Sequence, residues 1–561
     1  MKRTRLIYIF FILTVIAHLY GCRNHTAPAK KEIVKKPEEM DDKISDNLKS
    51  VLLYADDNDG KIDDSIKLFL NHIVHSFYKE NDYHNLWSKK EHWNPLADSM
   101  FDFIEKSKYY GLYPDDYHFT TLSLLRKRFN EDTLAKKDAV LWTKADLLLS
   151  DAFMKTIKDL KEGRMLPDSV SIISKKKFID SLFVKNLKTA ENLNALTAVF
   201  NNVEPTKADY QLLKKSLKSF VDSMDTTRYV YIRYPQKDSL NLIKTLQQRL
   251  SESSAADKNI LLPDSLLLNK EIKKFQRNNN IKQDGKITAR LITFLNSSDV
   301  EKFKRIAITL DRYKRSPVLP PSYIWVNLPG FYLKVWDHDS LILVSKVIVG
   351  KPTTRTPVLT SQITDMVTYP QWTIPSSIIK NDILPALQKD PGYLARKGFS
   401  LVDLKGESVN PYTVNWAKYK KGIPWKVQQG SGDDNALGIF KFNFNNPFSV
   451  YLHDTNQRYL FKNSFRALSH GCVRVQNWQE LAYFIARNDS LNMDKGQKIS
   501  YNEDSIKTWL GNKSRKRIML KNKLPLYIQY YTCEAKNNKV VFYDDIYNED
   551  KYYAEKYFAN K

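Results

Sequence analysis

The sequence predicts a multidomain α+β protein: an N-terminal α-helical scaffold, a small helical module, and a β-rich domain interrupted by a helical insertion. Three observations carry that prediction. The chain of 561 residues exceeds the size at which one hydrophobic core keeps growing, so about two to four domains are expected. Apolar residues recur at three- and four-residue spacing over residues 44–250, the period of helices with one buried face. From about residue 320 the period becomes two, in runs separated by Gly, Pro and Asn turns, which is the pattern of strands.

Taken in order, the first element is a leader. Lys2, Arg3 and Arg5 precede the apolar run LIYIFFILTVIAHLYG, which is followed directly by Cys22. That is the layout of a signal peptide, and the run falls short of the roughly twenty apolar residues of a spanning helix. Leu19-Tyr20-Gly21-Cys22 resembles the bacterial lipobox, although Tyr20 stands where a small residue is usual. The resemblance implies a signal peptide over 1–22, lipidation of Cys22, and anchoring to a membrane through that lipid or the uncleaved segment. Residues 23–43 are polar and charged and are expected to form a flexible tether. The protein is accordingly expected to work outside the cytoplasm, in the periplasm of a Gram-negative cell envelope, as a lipoprotein.

Residues 44–250 form the expected α-helical scaffold, with segments such as KADLLLSDAFMKTIKDLKEGR punctuated by breaks such as YYGLYPDDYHF and GRMLPD. Nothing in this region has a catalytic spacing. The net charge of +25 favours anionic surroundings, but Lys and Arg are scattered among Asp and Glu and form no stripe. No nucleic-acid motif accompanies the charge, and no nucleic-acid partner is expected.

Residues 260–298 show a compact helix-turn-helix pattern. Phe275-Gln276, Asp284-Gly285, Thr288 and Leu295-Asn296 match in order the pattern of the peptidoglycan-binding-like module. The plain alternative is a three-helix packing unit that binds nothing. The β-rich domain is expected over 320–500, with a helical subdomain inserted at 376–428 that can act as a lid, and with 501–561 adding a closing strand and helix.

The chemistry concentrates at RALSHGCVRVQN, Arg466 to Asn477. A cysteine is a good nucleophile as thiolate, so Cys472 needs an imidazole or a cation nearby. His470 lies two residues before it, and His453 nineteen before it in VYLHDT. Residues two apart on a strand share a face, so Tyr451 and His453 point the same way, and a hairpin would bring His453 beside Cys472. Gly471 and Cys472 offer backbone amides to an oxyanion, and Arg474 can raise the thiolate fraction or bind a substrate carboxylate. Chemistry alone leaves both histidines as candidates for the base. It also leaves a buried structural thiol open, whereas a zinc site lacks a second cysteine or a histidine pair at helical spacing. No metal or other cofactor is expected. Cys533, in PLYIQYYTCEA, reads as a small buried thiol, and pairing with Cys472 in a disulfide is the alternative.

His453, then Ser469-His470-Gly471-Cys472 with His470 seventeen positions after His453, then Arg474, resembles the L,D-transpeptidase signature. The wider match is to the large multidomain branch of that family, through VNLPGFYLKVWD, VGKPTTRTP, YPQWTIPSSI, NALGIFKFNFNN, VYLHDT, FRALSHGCVRV, LPLYIQYYT and DDIY. The resemblance implies Cys472 as nucleophile and His453 as general base, with His470 and Gly471 shaping the oxyanion site. It implies that a carbonyl or a neighbouring side chain orients the base; Asp454 is nearest by sequence but faces away on a strand, which favours a carbonyl. Ser469, Arg474, Tyr451 and Trp372 are the candidates for substrate contact, with Trp372 also readable as core.

The implied reaction is 3-3 cross-linking of peptidoglycan stem peptides, donor and acceptor, with release of D-alanine from tetrapeptide stems. The alternatives are an L,D-carboxypeptidase, a protein that attaches others to the wall, and a non-catalytic cell-wall-binding scaffold. The resemblance further implies inhibition by carbapenems and leaves room for an activating cell-wall partner protein.

Overall fold

The computed structural model describes residues 27–165, 180–193, 196–253, 265–278, 283–492 and 499–559. The expected signal peptide and the Cys22 lipobox lie outside the described residues. Among the described residues no helix is long and apolar enough to cross a membrane.

The N-terminal half is helical, and its helices are terminated by the residues that stop helices elsewhere. The longest, Ala139–Glu162, starts at Asp138, whose carboxylate accepts from the Val140 amide at 3.1 Å, and stops at Gly163 with φ +76°. Its buried side, including Trp142, Leu149 and Phe153, forms the centre of the scaffold core. The tether expectation fails at its C-terminal end. Val34 is buried and donates its amide to the Lys137 carbonyl at 2.8 Å, and a helix already runs from Met40 to Asp57. The reason is that Met40, Ile44 and Leu48 repeat every four residues and are all buried, so the amphipathic face begins before residue 44.

The scaffold also ends earlier than its expected boundary at 250. Leu246 and Leu250 on the Ser239–Ser253 helix pack with Leu268, Ile272, Leu291 and Leu295, so that helix belongs to the core of the small module. Within the module, Gln276 locks the expected turn: its Oε1 accepts from the Gly285 amide at 2.9 Å, and its Nε2 donates to Asp284 at 2.9 Å. Thr288 caps the following helix by accepting from Leu291, and Asn296 exchanges two hydrogen bonds with the main chain of Ile232. These motif residues are engaged in holding the unit together.

The β-rich domain is built on strands β1 (Ser322–Asn327), β2 (Tyr332–Asp337), β3 (Ser340–Gly350) and β4 (Leu359–Thr368). After these come β5 (Trp372–Thr373), β6 (Phe399–Val402) and β7 (Lys426–Gln429), which form a small sheet of their own. Then follow β8 (Phe440–Phe444), β9 (Leu452–His453), β10 (Ala467–Ser469), β11 (Val473–Val475) and β12 (Lys516–Gln529). The main sheet runs β3-β11-β9-β8-β4-β12-β1-β2, and β2 pairs back onto β3, so it closes on itself; β10 joins the end of β3. Closure removes the exposed edges that an open sheet would present. In β8, Phe440, Phe442 and Phe444 point into the core while Lys441 and Asn443 alternate to the other face. Trp478, Leu481 and Ile485 of the Trp478–Leu491 helix complete this core.

The small β5-β7-β6 sheet and the helices around Ile379–Lys389 share a separate core of Ile374, Ile383, Leu387, Leu401, Trp416 and Val427. The insertion therefore has its own packing and opens at Trp372, a few residues ahead of 376. The C-terminal β12 does more than close the domain: it pairs antiparallel with β4 and parallel with β1, near the middle of the sheet.

Candidate active site

The site is set by two short neighbouring strands. β9 and β11 run parallel, with Leu452 opposite Val473 and His453 opposite Arg474, and the Val473 amide donates to the Tyr451 carbonyl at 3.1 Å. A hairpin was expected between them and is not present. The intervening residues 454–472 make a crossover that adds β10 beside β3, and a parallel pair requires such a connection. The register puts Tyr451, His453, Cys472 and Arg474 on one face, while Leu452, Val473 and Val475 on the other face fill the core.

Cys472 and Cys533 are both free. Cys533 is buried and its thiol donates to Thr309 Oγ1 at 3.2 Å, as the structural reading expects. Cys472 is partly exposed as a residue, but protein packs closely around its sulfur, and burial raises the thiol above its ordinary value. Hydrogen bonds from the Tyr451 main chain and hydroxyl, and the positive charges of Lys441 and Arg474, act in the opposite direction. The Tyr451 hydroxyl also accepts from Trp372 Nε1 at 2.9 Å, so a chain of donors runs from the root of the insertion to the nucleophile candidate.

His453 is buried, with its ring edge-on to Tyr451 at 5.7 Å between centroids. Burial, followed by the charges of Arg474 and Lys441, pulls its pKa down to about 3, while the main chain at Asp454 and Leu437 draws it back up. Nδ1 has no hydrogen-bond partner among the described residues. Asp454 is turned away from the ring as expected: it is buried, accepts from the Ile439 amide at 3.1 Å and pairs with Arg458. The turn that presents Leu437 depends on Gly438, whose φ is +63° and where a Cβ would run into the Asp454 carboxylate. Asn435 fixes the same turn by accepting from the Leu437 amide at 2.8 Å.

The Ser469–Cys472 turn differs from expectation in two respects. The Gly471 amide donates to Ser469 Oγ at 3.1 Å, so it is not turned toward an oxyanion, and the Cys472 amide remains the candidate. Ser469 Oγ in turn donates to the Cys472 carbonyl at 2.6 Å, so Ser469 holds the turn from within. His470 does not line the sulfur side; its Nε2 pairs at 2.9 Å with Asp382 of the insertion. The physical reason is the conformation at Gly471, φ +123°, which turns the residue before it outward.

Three further residues belong to the site: two hold this turn and the third faces Tyr451. Thr356, in VGKPTTRTP, donates to the Gly471 carbonyl at 2.8 Å and accepts from the Gly350 amide at 2.8 Å. Tyr547, in DDIY, donates to the Gly350 carbonyl at 2.7 Å and accepts from the Thr356 amide at 3.1 Å. Lys441 stands opposite His453 across the β8–β9 pair, with Nζ 3.9 Å from the Tyr451 ring centroid. Thr356, Tyr547 and Lys441 lie inside VGKPTTRTP, DDIY and NALGIFKFNFNN, so the signal was there without a role attached to it. Arg474 donates from Nη1 to Gln457 at 2.9 Å, and its buried Nε has no partner among the described residues. Among the described residues no three of His, Cys, Asp and Glu gather as metal ligands.

A thiol and a neutral imidazole on one sheet face, ringed by two cations and a tyrosine hydroxyl, define a site of the cysteine–histidine class. The chain carries an L,D-transpeptidase catalytic domain and a scaffold domain: residues 321–495 match the first and residues 72–217 the second. A Haemophilus influenzae protein whose name places it provisionally among the L,D-transpeptidases is 34% identical over 240 residues, 42% of this chain. The match spans 47% of that relative, so the chain covers about half the length of the curated relative it resembles. Solved structures with local likeness include an L,D-transpeptidase from Mycobacterium smegmatis, with 11% identity, a TM-score of 0.19, and coverage of 37% of this chain and 58% of that one. An Enterococcus faecium L,D-transpeptidase has 10% identity, a TM-score of 0.18, and coverage of 42% and 64%. The assignment rests on the domain matches.

Proposed function

We propose that this protein forms 3-3 cross-links in peptidoglycan through a cysteine acyl-enzyme on Cys472. The observation that supports the reading is the shared face of Cys472, His453 and Tyr451 within the matched catalytic domain. Neutral His453 takes the thiol proton, and its proton affinity rises as the adjacent thiolate forms, because an opposite charge favours the protonated ring. The sulfur attacks the carbonyl at the L-centre of the third-position diamino acid, and the Cys472 amide faces the oxyanion. Collapse breaks the C–N bond, D-alanine leaves with the proton from His453, and a thioester remains.

The side-chain amine of a neighbouring stem then attacks the thioester, His453 takes its proton, and the thiol is regenerated. Water in place of the amine would give a carboxypeptidase. The insertion favours the amine by covering the acyl-enzyme and excluding water, a reading supported by its contacts with the site through Trp372 and Asp382. Carbapenems would acylate the same sulfur. The reading also takes the protein to be periplasmic and anchored to a membrane through Cys22.

Incubating the purified protein with disaccharide tetrapeptide and measuring product masses tests the proposal, with Cys472→Ala as control. A cross-linked dimer with D-alanine released, absent in the variant, is the expected result. Tripeptide alone would replace the reading with a carboxypeptidase, and unchanged masses would favour a wall-binding scaffold.

A further inference from the structure

We propose that Lys441 is a positioning residue for the nucleophile, acting through the Tyr451 ring and hydroxyl to favour the thiolate of Cys472. The inference rests on the acyl-transfer reading of Cys472 and adds to it a residue outside the His-Ser-His-Gly-Cys signature.

The geometry begins with strand register. Lys441 lies directly opposite His453 across an antiparallel pair, and His453 lies opposite Arg474 across a parallel one, so the three side chains share one face. The flanking residues of β8, Phe440 and Phe442, are fully buried on the other face. An apolar side chain at 441 would pack in that half-buried position without desolvating a charge. A lysine there keeps an ammonium in a poorly solvated place, and burial pulls its pKa below the ordinary value. The cost is offset by what the ammonium faces: Nζ sits 3.9 Å from the Tyr451 centroid, within cation–π range.

Tyr451 is the link. Its hydroxyl accepts from Trp372 Nε1, and the parallel register sets Tyr451 beside Cys472, where its hydroxyl draws the thiol down, so the phenol is polarised by a donor at one end and acts on the sulfur at the other. A cation on the ring face draws electron density from the phenol and makes that O–H a stronger donor. A stronger donor stabilises the thiolate more than the thiol. The charged and titratable groups around the pair are few. Tyr451, Lys441 and Arg474 act on Cys472; Asp365 and Arg517 act on Lys441 from the neighbouring strands; His453 is held neutral beside them. With His453 neutral in the resting site, Lys441 and Arg474 are the cations that bias Cys472 toward the thiolate before the proton reaches His453.

The test is the pH profile of Cys472 alkylation by iodoacetamide in the full-length protein in detergent, read by peptide mass so that Cys22 and Cys533 are counted separately. Lys441→Met keeps the apolar stem and removes the charge. It is expected to raise the alkylation midpoint by about one pH unit, with labelling about tenfold slower below it, and Lys441→Arg is expected to restore most of the loss. In a Tyr451→Phe background the Lys441→Met effect should shrink, because the hydroxyl that carries it is gone. An unchanged midpoint, or an equal effect in the Phe background, overturns the proposal. A falling midpoint overturns it too, since loss of local packing relieves burial of the sulfur and moves the thiol down. The readout needs no peptidoglycan. A Lys441-dependent profile in a protein that never cross-links stems would sink the functional reading and leave this inference standing.

Discussion

His470 Nε2 lies 2.9 Å from Asp382 Oδ2, joining the turn that carries Cys472 to the inserted subdomain. Asp382 sits in the π-helical segment Ile379–Ile383, where one extra residue per turn rotates the side chains relative to a regular helix. Both partners are partly exposed, so the pair contributes no more than about 1 kcal/mol. That is enough to bias a hinge. Asp382→Asn is expected to raise the ratio of hydrolysed to cross-linked product about two- to fivefold, measured by mass spectrometry, with Cys472 alkylation unchanged. A constant product ratio would show that the subdomain does not retain the acyl-enzyme through this contact.

The buried His453 makes stability depend on pH. Its folded pKa of about 3 lies below the ordinary imidazole value of 6.5, so the unfolded chain binds the extra proton first. The contribution is therefore full above about pH 6.5 and is lost as the pH falls toward 3. His453→Gln is expected to flatten that decline, seen as a smaller drop in denaturation midpoint between pH 7 and pH 4 than in the native sequence (about 1.4 kcal/mol for each pH unit removed, at most). An identical drop in both proteins would mean that other groups carry the acid sensitivity.

Thr356 is the support of the Gly471 carbonyl. Replacing it with Val keeps the shape and removes both the donor to Gly471 and the acceptor for the Gly350 amide. The unsatisfied buried groups cost about 1–3 kcal/mol. Because one of them positions the nucleophile turn, turnover is expected to fall about tenfold beyond any loss of folded protein. Normal turnover per folded molecule would assign Thr356 to stability alone.

Most of the chemistry was legible in the sequence because it sits in contiguous motifs. Tyr451 and His453 could be placed on one face from strand periodicity, and Asp454 could be excluded as the orienting group by the same rule. What periodicity cannot supply is partnership between distant segments. The parallel pairing of β9 and β11 needed the crossover, the outward turn of His470 needed the Gly471 conformation, and the contact of Lys441 with Tyr451 needed the β8–β9 register. Gly471 illustrates the limit well. An amide next to a candidate nucleophile looks available in sequence, but a serine two residues earlier in the same turn already accepts it. Boundaries were misjudged where an amphipathic face ran past a change in composition, at Met40 and at Leu246 and Leu250.

Gly438 provides a test of how the base is held. Its φ of +63° is a region that side chains rarely adopt, and a Cβ there would meet Asp454 Oδ2 at 2.3 Å and the Thr455 amide at 2.6 Å. One of those contacts is backbone, so rotating a side chain cannot relieve both. The strain must be released by moving either the Asp454–Thr455 segment, next to His453 in sequence, or the turn that brings Leu437 to the ring. Gly438→Ala is expected to destabilise the protein by about 2–4 kcal/mol and to reduce turnover per folded molecule at least about tenfold. Gly422→Ala, which meets nothing within 4 Å, serves as the control and is expected to be close to neutral. Displacement of the ring also has a direction that can be read. Loss of its tight burial should return the His453 titration toward 6.5, visible by NMR of the imidazole protons. A Gly438→Ala protein that is less stable yet titrates as before would place the strain in the Asp454–Arg458 side of the turn and leave the base where it was.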